Sequence, residues 1–186
     1  MKYIIVILSA LLMSCSASIE DYKNSQPEFD LPDYFNGQLV AWGIVQDYSN
    51  KVVRRFCVDL TASWQGKSGQ LDETFYYADG EIQQRRWKLF ISNSGEVTGT
   101  ADDVIGQARG RSTGSAFNWQ YRLKVAIDGS DYEFSMDDWM YLLDEQRLMN
   151  RTYMQKLGVT VAEISIFFDK SLPLKSCTGQ DKSDPA

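Results

Sequence analysis

FNWQYRLKVAIDGSDYEFSMDDWMYL, residues 117–142, is the stretch whose reading decides the fold. Residues rich in β-branched and aromatic side chains flank Asp128-Gly129-Ser130, a turn signal between two strands. Reading Gly129-Ser130 as a two-residue loop with glycine leading gives a hairpin. Its pairs are Ile127/Tyr132, Val125/Phe134, Leu123/Met136, Tyr121/Asp138, Trp119/Met140 and Phe117/Leu142. Every member of that face except Asp138 is apolar or aromatic. The other face carries Asn118, Gln120, Arg122 and Lys124. Side chains alternate along a strand, so the first face is the interior.

Asp138 therefore points inward, and a buried carboxylate needs a partner. A two- or four-residue loop at Asp144 to Arg147 places Met149, Arg151 and Tyr153 on the Asp138 face. Arg151 is then diagonal to Asp138 and within reach of it. A three-residue loop breaks this arrangement.

Outward from the hairpin the same pattern repeats. Turn signals recur at Ser49-Asn50, 65–69, Asp79-Gly80, 93–95, 110–114 and 144–146, with strand-forming residues between them. About 8–10 strands on one core, joined as consecutive hairpins, predict an all-β fold: an antiparallel up-and-down β-barrel, lipocalin-like. Phe56, Val58, Leu60, Ala62 and Trp64 give one inward face, while the orientation of Trp42 stays open. Asp79-Gly80, read as a two-residue loop, sets Glu73 opposite Arg86, a pair either exposed or internal. Asp30 to Gly37 reads as one helical turn, capped by Asp30, with Pro32 in its first turn and Asn36-Gly37 ending it.

The N-terminus is of another kind. Lys2 precedes an apolar run from Tyr3 to Met13, too short for the roughly 20 residues that span a bilayer. With Leu12-Met13-Ser14-Cys15 closing it, the run resembles a bacterial lipoprotein signal peptide. The resemblance implies that residues 1–14 are removed and that Cys15 carries the lipid, acyl chains such as palmitate. Ser16, where an aspartate would favour inner-membrane retention, points to the outer membrane, periplasmic face. An uncleaved membrane-surface anchor is the alternative. The domain plan is a signal peptide at 1–14, a lipidated tether at 15–29, the barrel at 30–170 and a polar tail at 171–186. Loss of Lys2 takes the net charge from −6 to −7. So acidic a chain has no footprint for nucleic acid.

Cys57 and Cys177 remain after Cys15. In an oxidising periplasm they are a possible disulfide, or else two separate thiols.

The chain has no histidine. That removes the Ser-His and Cys-His nucleophile systems and the commonest metal ligand, so the sequence points away from an enzyme, a metal site or a cofactor. Asp102-Asp103 and Asp137-Asp138 are adjacent carboxylates that a strand would send to opposite sides. Residues 106–114 hold three glycines but lack the strand-to-helix setting of a phosphate loop. Barrels of this size hold one small ligand. Trp119, Tyr121, Asp138, Met140, Arg151 and Tyr153 are the candidate lining. An inward arginine among aromatics suits the carboxylate or phosphate of a fatty acid or phospholipid. In the competing reading Asp138 neutralises Arg151, the barrel is filled, and its outer surface docks an envelope partner.

Trp42-Gly43, Arg54-Arg55-Phe56, Asp79-Gly80, Gly99-Thr100-Ala101-Asp102-Asp103, Asn118-Trp119-Gln120-Tyr121, Asp137-Asp138-Trp139-Met140 and Asn150-Arg151 resemble the family known as domain of unknown function thirty-eight thirty-three, from about Asp30 to Lys170. The resemblance implies an envelope lipoprotein of two-membrane bacteria, without assigned activity or catalytic residues. Cys57 and Cys177 lie outside its pattern.

Overall fold

In the computed structural model, the described residues are 17–127, 129–170 and 177–178. Ten strands follow one another: β1 Gly37–Asp47, β2 Val52–Gln65, β3 Ser68–Tyr77, β4 Ile82–Ile91, β5 Val97–Thr100, β6 Ala108–Thr113, β7 Ala116–Ile127, β8 Ser130–Leu142, β9 Arg147–Lys156 and β10 Val159–Asp169. Each pairs antiparallel with its sequence neighbours, and β1 pairs with β10 (Ala41 opposite Phe168, Val45 opposite Ile164) to close the barrel. This is the predicted all-β up-and-down architecture, with ten strands. Closure leaves no unpaired sheet edge.

The β7–β8 hairpin keeps its predicted faces but not its predicted register. Ile127 pairs with Ser130, Tyr121 with Met136 and Trp119 with Asp138, so the connection is residues 128–129. Gly129 takes a positive φ of 79°, a conformation that glycine adopts readily. The slip is two residues, and an even slip leaves every side chain on its face.

Two other hairpins change parity. Leu143 donates to the Arg147 carbonyl, leaving three loop residues, 144–146. Asp144 holds that loop by accepting from the Gln146 and Arg147 amides, both at 2.9 Å. The Asp138 face of β9 therefore carries Leu148, Asn150 and Thr152, and Arg151 and Tyr153 belong to the outer wall. Likewise Tyr77 donates to the Glu81 carbonyl, with Gly80 at φ 91° closing a three-residue loop. Glu73 therefore faces Arg85 rather than Arg86, and both point inside; Arg86 pairs with Asp72 outside. Trp42, left open above, is outward and 44% exposed.

One end of the barrel is plugged. Asp30 caps α1 (Leu31–Tyr34), its side chain accepting from the Asp33 amide at 3.0 Å. The turn delivers Phe29, Leu31, Tyr34 and Phe35 into the barrel end, all at most 6% exposed. Phe29 meets Phe117 edge-on at 6.0 Å between ring centroids, and Phe35 meets Phe168 at 5.6 Å. Trp64 Nε1 donates to the Phe35 carbonyl at 2.8 Å, and Lys170 Nζ to that of Tyr34 at 3.0 Å. Polar atoms of the plug thus find partners on the wall.

The stretch read as a tether is seated on the barrel from Ser18 onward. Ser18 caps a short turn at Ile19–Tyr22. Tyr22 then packs its ring on Trp139 and Tyr141, at 6.0 and 5.6 Å. Ser25 Oγ accepts from the Ser115 amide at 2.9 Å, and the Phe29 amide donates to the Gly114 carbonyl at 2.8 Å. A Cβ on Gly114 would fall 1.9 Å from the Tyr22 carbonyl, so glycine is required there. This cover buries Trp139, which the alternation of β8 alone leaves outside.

Cys57, on the outer side of β2, is bonded to Cys177, 120 positions further along the sequence, with their Cα atoms 5.7 Å apart. The Cys177 amide donates to Asp59 at 3.1 Å. Residues 1–16, which hold Cys15 and the predicted signal peptide, lie outside the described residues, as does the tail but for 177–178.

Candidate functional site

The barrel is hollow: a cavity of about 660 Å³ runs inside it, bounded at the plugged end by Leu31, Phe35, Phe117 and Phe168. Toward the opposite end it is lined by Arg54, Glu81, Gln83 and Lys124, which stand near the loops there. Arg54 is fixed by Asp79 at 3.0 Å and Glu81 at 2.6 Å, and its guanidinium lies 3.5 Å above the Tyr77 ring. The wall between is mostly apolar, with Phe56, Leu89, Met136, Met140, Met154 and Ile164 among its side chains.

Across this apolar tube lies a polar cluster from four strands and a loop: Glu73 on β3, Arg85 and Trp87 on β4, Asp103 between β5 and β6, Tyr121 on β7 and Asp138 on β8. All line the cavity. Arg85 engages Asp103 bidentately, Nη2 to Oδ2 at 2.7 Å and Nε to Oδ1 at 3.1 Å. Burial works against its charge, while Tyr121, Glu73 and Asp103 hold it protonated. Asp138 is 7% exposed, and its Oδ1 accepts from Asn150 Nδ2 and from Thr152 Oγ1, the latter at 2.9 Å. Glu73 has a different fate: its Oε2 is buried without a hydrogen-bond partner.

One arginine among three carboxylates leaves the cluster acidic, and that arginine is spent on Asp103. Burial accordingly pushes the Glu73 carboxyl up to about 7, with Arg85 and the Trp87 indole opposing and Asp138 and Asp103 reinforcing. Burial likewise pushes Asp138 up to about 6, against its hydrogen bonds from Asn150 and Thr152 and the Arg85 charge. Tyr121 is raised by burial and then by Asp138.

The sign of the Glu73 effect follows directly. Its folded pKa exceeds the ordinary 4.5, so above pH 7 the ionised carboxylate burdens the folded state in full. As pH falls from 7 toward 4.5 the folded chain takes up the proton first and the burden disappears. Glu73→Gln is therefore expected to stabilise the protein by about 3 kcal/mol at pH 8, the gain vanishing near pH 4. Urea denaturation of both proteins across that pH range measures it.

Of the candidate lining, Trp119, Tyr121, Asp138 and Met140 do face the cavity. Arg151 and Tyr153 do not: on the outer wall Arg151 bonds Glu163 and lies 5.2 Å over the Tyr153 ring. The inward arginine is Arg85. A two-residue loop at Asp79-Gly80 would put Arg86 opposite Glu73; the three-residue loop puts Arg85 there instead. The Asp102-Asp103 pair sits on a turn rather than a strand and contributes Asp103 to the interior. No group of three or more Cys, Asp or Glu able to hold a metal ion assembles among the described residues.

A mostly apolar chamber crossed by a buried acid–base cluster, inside a closed antiparallel barrel, defines the class: a barrel built around an internal chamber. The chain belongs to the family described as a protein of unknown function, DUF3833, whose model matches residues 9–170. No curated protein matches the chain. Among solved structures it is similar to lobster apocrustacyanin A1, at 13% identity and a TM-score of 0.36, over 75% of this chain and 62% of that one. It is also similar to apocrustacyanin C2, at 13% identity and a TM-score of 0.40, over 83% and 69% of the two chains. The chain thus spans less than two thirds of the length of apocrustacyanin A1.

Proposed function

We propose that this barrel binds one amphiphilic molecule, its tail along the apolar wall and its polar head at the internal cluster. The observation that carries the reading is the cavity itself. Its volume of about 660 Å³ is of ligand-site size, and it is apolar except for a few convergent polar groups. A barrel serving only as a scaffold would be filled by side chains. In this reading the protein is anchored through Cys15 to the periplasmic face of the outer membrane. The pattern Leu12-Met13-Ser14-Cys15 supports that anchor, and Cys15→Ser is expected to abolish incorporation of labelled palmitate. Retained label would remove the anchor from the account. Native mass spectrometry of protein gently extracted from its own membrane is expected to find one lipid-sized adduct per chain; bare protein in every preparation would count against binding.

A second reading has its own observation. Tyr48, Ile82, Leu157 and Val159 are 86, 60, 96 and 64% exposed, and all stand at the loop end opposite the plug. Such an apolar rim favours docking of that end on an envelope partner, through which a ligand would enter or leave. Crosslinking from these positions in cells that captures one protein reproducibly would support it.

A further inference from the structure

We propose that Glu73 is the recognition point of the chamber, and that its ligand is an alkyl-tailed molecule whose head donates hydrogen bonds, an alcohol or an amine, rather than a fatty acid. The inference rests on the binding reading above and names the ligand's chemistry. The other charged groups of the cluster have internal partners. Arg85 is held by Asp103, and Asp138 by Asn150 and Thr152. Glu73 alone among the described residues keeps a buried side-chain oxygen, Oε2, that accepts nothing. Above pH 7, where Glu73 is ionised, its carboxylate oxygens are only acceptors, so the missing group is an N–H or O–H. Leaving such an oxygen unmatched inside an apolar tube is costly, and a donor brought in by a ligand relieves that cost.

Charge points the same way. The groups facing Glu73 are Arg85 and Trp87 from β4, Asp103 from the β5–β6 loop, Tyr121 from β7 and Asp138 from β8. One cation against three carboxylates repels a free fatty acid's head and attracts an ammonium. Asp103 also occupies the Nε–Nη2 edge of Arg85, one of the two forks with which a guanidinium takes a ligand carboxylate. The cavity lining continues from Glu73 to Leu71 and Leu89, with room for an alkyl chain beside the cluster.

The test uses three probes of equal chain length, decanol, decylamine and decanoate, titrated at pH 8 with tryptophan fluorescence as readout; Trp87 and Trp119 both line the chamber. Decanol and decylamine are expected to bind at least tenfold more tightly than decanoate. Glu73→Gln should weaken decylamine at least tenfold and leave decanoate no weaker. Decanoate binding as tightly as the other two in the natural protein overturns the assignment of Glu73 while leaving a binding chamber in place. Discrimination that survives Glu73→Gln overturns it too. Failure of all three probes to bind overturns both readings. The ranking in the natural protein needs no variant, so a substitution that disturbed folding would not blunt the test.

Discussion

Arg85→Met is expected to cost about 3–5 kcal/mol of stability at pH 8, and far less at pH 5. Removing one partner of a buried ion pair leaves the other charge uncompensated, which carries a cost of that order. Asp103 is the less affected partner, since its side chain is 37% exposed and water replaces part of what it loses. The cost falls on Glu73 and Asp138, which Arg85 helps to keep ionised and which no water reaches as easily. Both already have raised pKa values, about 7 and about 6, and loss of the guanidinium raises them further. By pH 5 both are protonated in the folded state, and the missing cation is missed less. Urea denaturation at the two pH values reads the difference, and an equal loss at both would contradict it. Arg151→Met is the control. Its pair with Glu163 lies on the outer wall, with the arginine side chain 50% exposed, so a change of no more than about 1 kcal/mol is expected.

Opening the Cys57–Cys177 bond is the second large effect. It cross-links positions 120 residues apart, which corresponds to roughly 4–5 kcal/mol in the chain-entropy model. The bond also holds the Cys177 amide against Asp59 on β2. The barrel is closed by β1 pairing with β10, independently of this bond, so the reduced protein keeps its fold and loses stability. The doubly substituted Cys57→Ser, Cys177→Ser protein should show the same deficit in urea as the reduced natural chain. A deficit present only on reduction, and absent from the serine variant, would assign it to some other disulfide chemistry.

How much of this was legible in the residues depends on loop parity. The inner face of β7 and β8 could be read correctly from Phe117 to Leu142, because the register error there was even and left each residue on its side. The same reasoning carried across residues 144–146 failed, because one extra loop residue turned Arg151 outward and brought Asn150 and Thr152 in. Asp144 accepting from two amides of its own loop stabilises that count, and a lone aspartate in a polar turn does not announce it. At Asp79-Gly80 the glycine was recognised, but its positive φ serves a three-residue loop as well as a two-residue one. Arg85 and Glu73 went unassigned for that reason alone. The seating of residues 18–29 was invisible for a different reason. Its contacts join Tyr22 to Trp139 and Ser25 to Ser115, far apart in sequence and without any periodic pattern.

The central claim is that the interior is a chamber that takes up an apolar guest. Titration with the environment-sensitive dye N-phenyl-1-naphthylamine tests it most directly, using the natural chain and an Ile164→Trp variant in which the larger ring occupies cavity space. The account predicts saturable binding of one dye per natural chain and strongly reduced binding to the variant. Dye binding that is absent from the natural chain, or equally strong in the filled variant, would contradict it.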